Sequence, residues 1–130
     1  MATFLRFEDI PIWQQARKVC VQIYTITRNN SISRDIRFCS QITAAAGSIM
    51  DNIAEGFERD GVKEFIQFLY IAKGSCGEVR SQLYRAFDVG YLDEKDFQRL
   101  QEMIEDLRTA IYNYINYLKA SEFKGTRYKN

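Results

Sequence analysis

The sequence predicts an all-α chain folded as an antiparallel up-and-down four-helix bundle. Three observations carry that expectation. Four stretches place apolar residues at alternating three- and four-residue steps, which lines them along one helical face. The connections between these stretches are short, so consecutive helices lie side by side and antiparallel. Pro11 is the only proline in 130 residues, whereas a β-sandwich of this size would carry many Gly/Pro turns.

The first helix is expected over about 9–27, with Ile12, Ala16, Val19, Ile23 and Ile26 as its stripe. Pro11 suits the first turn, where its missing N–H costs nothing, and Asp9 is the expected cap. Arg28-Asn-Asn-Ser-Ile-Ser33 reads as a polar turn, with Ser31 or Ser33 capping the second helix. That helix, about 34–57, has the stripe Cys39, Ile42, Ala46, Ile49 and Ile53. Its small run Ala44-Ala-Ala-Gly-Ser48 lets a neighbouring helix approach closely, and Gly56 and Gly61 bracket the next turn.

The third helix, about 62–89, repeats Phe65, Leu69, Ala72, Cys76, Val79, Leu83 and Ala86 in the strict alternation of a bundle seam. Gly90 stands where a helix usually ends in a left-handed residue. The fourth, about 94–120, comes after Asp93 as cap, with Asp96 three residues on as in a capping box. Its stripe is Phe97, Leu100, Ile104, Leu107, Ile111, Tyr114 and Leu118. Residues 1–120 thus form one domain, and 121–130 are expected as a basic C-terminal tail.

The net charge is +1, from 18 basic and 17 acidic side chains, which is not the footprint of a strongly basic nucleic-acid module. Cys20, Cys39 and Cys76 lie far apart on apolar faces with no C-x-x-C spacing, and read as buried free thiols in a reducing compartment. Met1-Ala-Thr-Phe-Leu-Arg6 has no long apolar run, so no signal peptide is indicated. No stretch approaches the ~18 uninterrupted apolar residues of a membrane span. A cytoplasmic location is expected.

The chain has no histidine. That removes the commonest general base and zinc ligand, the Glu-x-x-His pairs of di-iron bundles, and His-dependent nucleophilic catalysis within one chain. No P-loop or dinucleotide fingerprint occurs. Gly74-Ser-Cys-Gly77 falls in mid-helix, where close helix packing explains it better than phosphate binding. Asp51, Glu55, Glu64 and Glu78 lie on the two middle helices as candidate acids and bases, but no spacing singles out a catalytic pair. The expectation is a protein that is not an enzyme, with no catalytic residue, cofactor or metal.

Three surface features exceed what a simple core needs. Ile66, Tyr70, Gly77 and Tyr84 form a second apolar strip on the third helix, about 120° from the core seam. It is either an oligomer interface, self-association being the simplest, or a set of long side chains wrapping the bundle edge. A polar line runs through Gln41, Ser48, Asn52, Glu55 and Arg59 on the second helix and Glu64, Ser75 and Gln82 on the third. It reads as a hydrogen-bonded seam that fixes register, or as a binding groove. Arg17, Lys18, Arg28, Arg34, Arg37, Lys73, Arg80 and Arg85 are the candidate nucleic-acid contacts.

Three blocks carry a resemblance: Phe7-Glu-Asp-Ile-Pro-Ile-Trp-Gln-Gln-Ala-Arg17, Ser48-Ile-Met-Asp-Asn-Ile-Ala-Glu-Gly-Phe57, and Lys63-Glu-Phe-Ile-Gln-Phe-Leu-Tyr running on to Leu83. From Phe7 to about Leu118 the chain resembles the bacterial four-helix-bundle family encoded in intervening sequences of 23S ribosomal RNA genes. The resemblance implies an up-and-down bundle, a ring-shaped homo-oligomer (a pentamer) and an association with RNA. A related family of accessory proteins serves retroelement reverse transcriptases and presents a basic surface to nucleic acid. No catalytic residue is implied. Three functions then compete: a homo-oligomer associated with RNA, a protein-interaction scaffold that binds no nucleic acid, and, least favoured, an enzyme using carboxylates, which would need a concave pocket holding Asp51, Glu55 or Glu78.

Overall fold

Apolar side chains at helical spacing can leave water only by facing one another, and here four long helices close around them. The structure, a computed structural model, describes residues 4–129, with side chains through residue 122. A 3-10 turn at Phe7–Asp9 leads into α1 (Pro11–Ile26). A one-turn helix α2 (Asn30–Ser33) links it to α3 (Ile36–Glu58), after which come α4 (Val62–Asp88) and α5 (Glu94–Lys129). No strand occurs among the described residues. Helix α1 packs on α3, α3 on α4, α4 on α5, and α5 back on α1, closing a square. The pairings run antiparallel: Ser48 meets Ser75 while Gly56 meets Phe68, and Tyr70 meets Lys119 while Arg80 meets Glu105.

The stripes expected on α1 and α4 are buried in full. On α3 only Cys39, and on α5 only Phe97 and Tyr114, are half-buried. Ile10, Trp13, Ile32, Phe38, Ala45, Ile66, Leu92 and Ile115 complete the core, most of them near helix ends where periodicity carries little signal.

The helix termini differ from expectation in three places. Asp9 does not cap α1. It belongs to the 3-10 turn, and Ile10 takes the N-cap position without a side-chain bond. The chain is held there instead by packing: the Phe7 and Trp13 rings meet edge to face at 5.2 Å, and Gln14 Nε2 donates to the Glu8 carbonyl at 2.9 Å. Ser31 and Ser33 do not cap α3, because they fold into α2, where Asn29 Oδ1 accepts from Ser31 N. Asp35 is the α3 cap, accepting from Phe38 N at 3.0 Å. Gly56 does not open a turn. It lies buried inside α3, and the turn falls at residues 59–61.

Two expected termini hold. Asp93 Oδ1 accepts from Asp96 N at 2.8 Å, while the Asp96 carboxylate turns to Arg99. Gly90 has φ +83°, Tyr91 N donates to the Ala86 carbonyl and Gly90 N to that of Phe87, which is Schellman closure of α4.

The expected tail at 121–130 is corrected: α5 remains helical to Lys129, since no proline interrupts it and Glu122 pairs with Lys63 at the start of α4. Side chains beyond residue 122 lie outside the described set. No helix among the described residues is long and apolar enough to cross a membrane.

Candidate functional site

The polar line resolves into a seam between α3 and α4. Ser48 Oγ and Ser75 Oγ lie 3.0 Å apart across the two helices. Asn52 Nδ2 donates to Ser48 Oγ at 2.9 Å and to the Ser48 carbonyl at 2.7 Å. One turn on, Gly56 is pressed against Phe65 and Phe68, the only described glycine whose Cβ position is crowded. Ile49 and Ile53 fill the core between these residues. The block from Ser48 to Gly56 is therefore explained by helix packing. Gln82 is buried beside the seam and donates weakly to Glu78 Oε2 at 3.5 Å. Glu55 and Arg59 pair at the surface at 2.9 Å, and Glu64 is exposed, so these three lie outside the seam. A groove of about 500 Å³ runs alongside, lined by Gln41, Ala44, Ser48, Glu78, Gln82 and Arg85 among others.

The candidate carboxylates do not converge. Asp51, Glu64 and Glu78 are exposed, and Glu55 is engaged by Arg59. Among the described residues no group of three His, Cys, Asp or Glu is placed to hold a metal ion. Of the three thiols only Cys76 is fully buried, where desolvation pushes its pKa up to about 12; Cys20 and Cys39 are half-buried.

Gly74 and Gly77 overturn the close-packing expectation for Gly74-Ser-Cys-Gly77. Both are exposed, and nothing lies within 4 Å of the Cβ each lacks. Gly77 instead sits midway along a face shared by α4 and α5. Tyr70, Gly77 and Tyr84 succeed one another at heptad spacing on α4, as Glu105, Tyr112 and Lys119 do on antiparallel α5. Lys119 Nζ donates to Tyr70 Oη and lies 5.0 Å from its ring centroid. Lys73 Nζ lies 5.7 Å from the Tyr112 ring. Arg80 reaches Glu105 at 3.2 Å, and Arg108 pairs with the same carboxylate. The Arg108 hydrogen bond and the nearby positive charge of Arg80, Arg108 and Lys73 hold the Glu105 pKa below its usual value. Tyr84 meets Phe97 edge to face at 5.1 Å, and Phe87 stacks on the same ring.

Tyr70, Tyr84 and Tyr112 remain 42%, 51% and 45% exposed, whereas Ile66, expected in the strip, is 8% exposed and belongs to the core. It sits near the α4 start in the heptad line of Lys73 and Arg80, nearer α5 than the tyrosines. The structure thus brings two of the cations, Lys73 and Arg80, onto the same face as the tyrosine strip. Sequence reasoning passed over Tyr112, Arg108 and Lys119; the matching heptads on α4 and α5 were the available signal.

The other cations lie elsewhere. Arg17 sits over the Trp13 ring at 5.7 Å, beside exposed Lys18 on α1. Arg28, Arg34 and Arg37 are exposed around α2, and Arg85 lies over the Phe38 ring at 5.6 Å. Since α1 stands diagonal to α4, the cations Arg17, Lys18, Arg34, Arg37, Lys73 and Arg80 do not form one patch. Charge is nonetheless segregated along the chain. Between Ile10 and Met50 five basic residues accompany one acid, Asp35; between Asp51 and Glu122 nine accompany fourteen acids.

A family model described as 23S rRNA-intervening sequence protein matches residues 8–113. Among solved structures, the chain is similar to the crystal structure of a protein of unknown function from the S23 ribosomal protein family of Bacteroides thetaiotaomicron. The TM-score is 0.73 at 19% sequence identity, over 80% of this chain and 97% of that one. At that identity the likeness shows the fold alone. No curated protein matches this chain.

Proposed function

The chain belongs to the 23S rRNA-intervening sequence protein family, and from that premise we propose that it is a non-enzymatic, self-associating bundle that binds RNA in the cytoplasm. The observation that carries the RNA reading is the α4–α5 face. Five cations, Lys63, Lys73, Arg80, Arg108 and Lys119, lie there against two acids, Glu105 and Glu122, interleaved with three half-exposed tyrosines. A net charge near zero argues only against a uniformly basic protein, and this face is basic locally. Segregated charge supports self-association: the acid-poor N-terminal part of one copy is complementary to the acid-rich remainder of another. Such a head-to-tail contact closes a ring when its rotation permits, in keeping with the pentamer that the resemblance implies. The scattered carboxylates and the lack of histidine support a role without catalysis or cofactor.

The test is a titration of labelled RNA at low salt, repeated as salt is raised. Binding that weakens steeply with salt supports the reading. A flat titration at low salt, for both structured and single-stranded RNA, overturns it. A second reading, a protein-interaction scaffold, is favoured by the same exposed tyrosines. It gains if Tyr70→Ala or Tyr84→Ala lowers the mass seen by light scattering while no RNA binds.

A further inference from the structure

We propose that the α4–α5 face is a platform for single-stranded RNA, with bases stacked on Tyr70, Tyr112 and Tyr84 and phosphates held by Lys73, Arg108 and Lys119. The proposal rests on the RNA reading above and names the ligand class and its path. Base faces are available only when a strand is unpaired, and every base has one, so aromatic platforms set in a basic groove select single strands without needing a sequence. A duplex would meet the same face through its phosphates alone and leave the tyrosines unused.

The geometry supplies each part. Tyr70 to Tyr84 spans fourteen residues, about 21 Å of helix, which is the length of a few stacked nucleotides. Tyr112 projects from α5 between them, near Lys73. Gly77 leaves the α4 backbone bare at the centre of this path, with nothing of the chain near it. With no side chain at Gly77, a strand lying along this path meets no steric obstacle there. Lys73 and Lys119 rest over tyrosine rings in the free protein. Both are point charges on flexible stems. An arriving phosphate draws the ammonium off the ring and frees that ring face for a base. Arg80 and Glu105 tie α4 to α5 and keep the two rows of side chains in step.

A second copy of the chain is the competing occupant. A two-fold contact would set five cations against five with only two acids from each copy between them, and the head-to-tail contact proposed above would bring the acid-poor N-terminal part of another copy against this basic face; both are unfavourable. Charge complementarity therefore favours RNA here.

The experiment measures fluorescence anisotropy of a 5′-labelled 12-nucleotide oligo-A RNA, an oligo-U RNA of equal length, and their duplex, with the full chain at low salt. The expected result is that both single strands bind more tightly than the duplex. Tyr70→Ala, Tyr84→Ala and Tyr112→Ala each weaken single-strand binding on the order of tenfold, and the corresponding Phe variants restore it. Circular dichroism of each variant checks that these exposed positions leave the bundle folded. Equal binding of duplex and single strand, or alanine variants with unchanged affinity while Lys73→Gln and Lys119→Gln weaken it, leaves RNA association standing and overturns the stacking platform. Tyrosine variants that dissolve an oligomer without altering RNA affinity assign the face to contacts between copies and also overturn it. If no RNA binds at low salt, this proposal and the broader reading fall together.

Discussion

Gly56 of α3 and Phe68 of α4 approach so closely that a Cβ on the glycine would lie 2.6 Å from the Cβ of the phenylalanine. That contact sets the spacing of the two helices two turns below the Ser48–Ser75 pair, and it yields a prediction of opposite signs. Gly56→Ala forces α3 and α4 apart and destabilises the fold by about 1–3 kcal/mol. Gly77→Ala, on an open helix surface, stabilises by roughly 0.5–1 kcal/mol. Urea unfolding midpoints of the two variants should move in opposite directions from the parent; a shared direction would refute the assignment of either glycine.

The contrast also shows where sequence reasoning reached its limit. Gly56 and Gly77 are the same residue type inside helical periods, and only the neighbouring helix decides which is crowded. The four stripes were legible because each core position repeats locally, as from Phe65 to Ala86. The caps were less so: Asp35, one residue before Ile36, wins over Ser31 and Ser33 because a one-turn helix intervenes. For the candidate site, Tyr70 and Tyr84 were visible as a strip, but their company with Lys119 and Tyr112 depends on α4–α5 register. Ile66 falls in the heptad line of Lys73 and Arg80, the row nearer α5, and not in that of Tyr70, Gly77 and Tyr84, and it is buried there.

Tyr91 and Asp35 supply a pH-dependent contact. Tyr91 Oη donates to Asp35 Oδ2 at 2.7 Å, and Asp35 also accepts from Phe38 N. The Tyr91 hydrogen bond, and after it that backbone bond, holds the Asp35 pKa below its usual value. A depressed folded-state carboxylate contributes stability that is present above its unfolded pKa, near 3.8, and lost as pH falls through the folded value. The same bond raises the Tyr91 pKa, so its contribution is present below about 10 and lost as pH climbs past it. Tyr91→Phe should lower the melting temperature at neutral pH and flatten both the acid and the alkaline falls. A melting profile with unchanged slopes would refute this linkage.

Cys76 should be chemically silent in the folded protein. Burial pushes its thiol to about 12, so the nucleophilic thiolate is scarce at neutral pH and solvent does not reach it. Cys20 and Cys39 are half-buried and should react first with a thiol reagent. Peptide mapping after brief native alkylation should find label on Cys20 and Cys39 and reach Cys76 only after denaturation. Labelling of Cys76 at the rate of the other two would mean that α4 opens readily at its centre.

The two basic surfaces should separate by their salt dependence. Each phosphate contact on a single strand contributes about 0.7 to the slope of log affinity against log salt. Lys73→Gln and Lys119→Gln on the α4–α5 face should each reduce the RNA slope by about that amount. Lys18→Gln, on α1 at the diagonal of the bundle, should leave the slope unchanged. The α1 cations belong to the acid-poor sector, and under the proposed self-association they would make contacts between copies, where charge attraction is screened as salt rises. Lys18→Gln should therefore lower the mass measured by light scattering at low salt, with the parent approaching that mass at high salt. If Lys18→Gln instead reduces the RNA slope as Lys73→Gln does, the nucleic acid wraps around the bundle and α1 is part of its path.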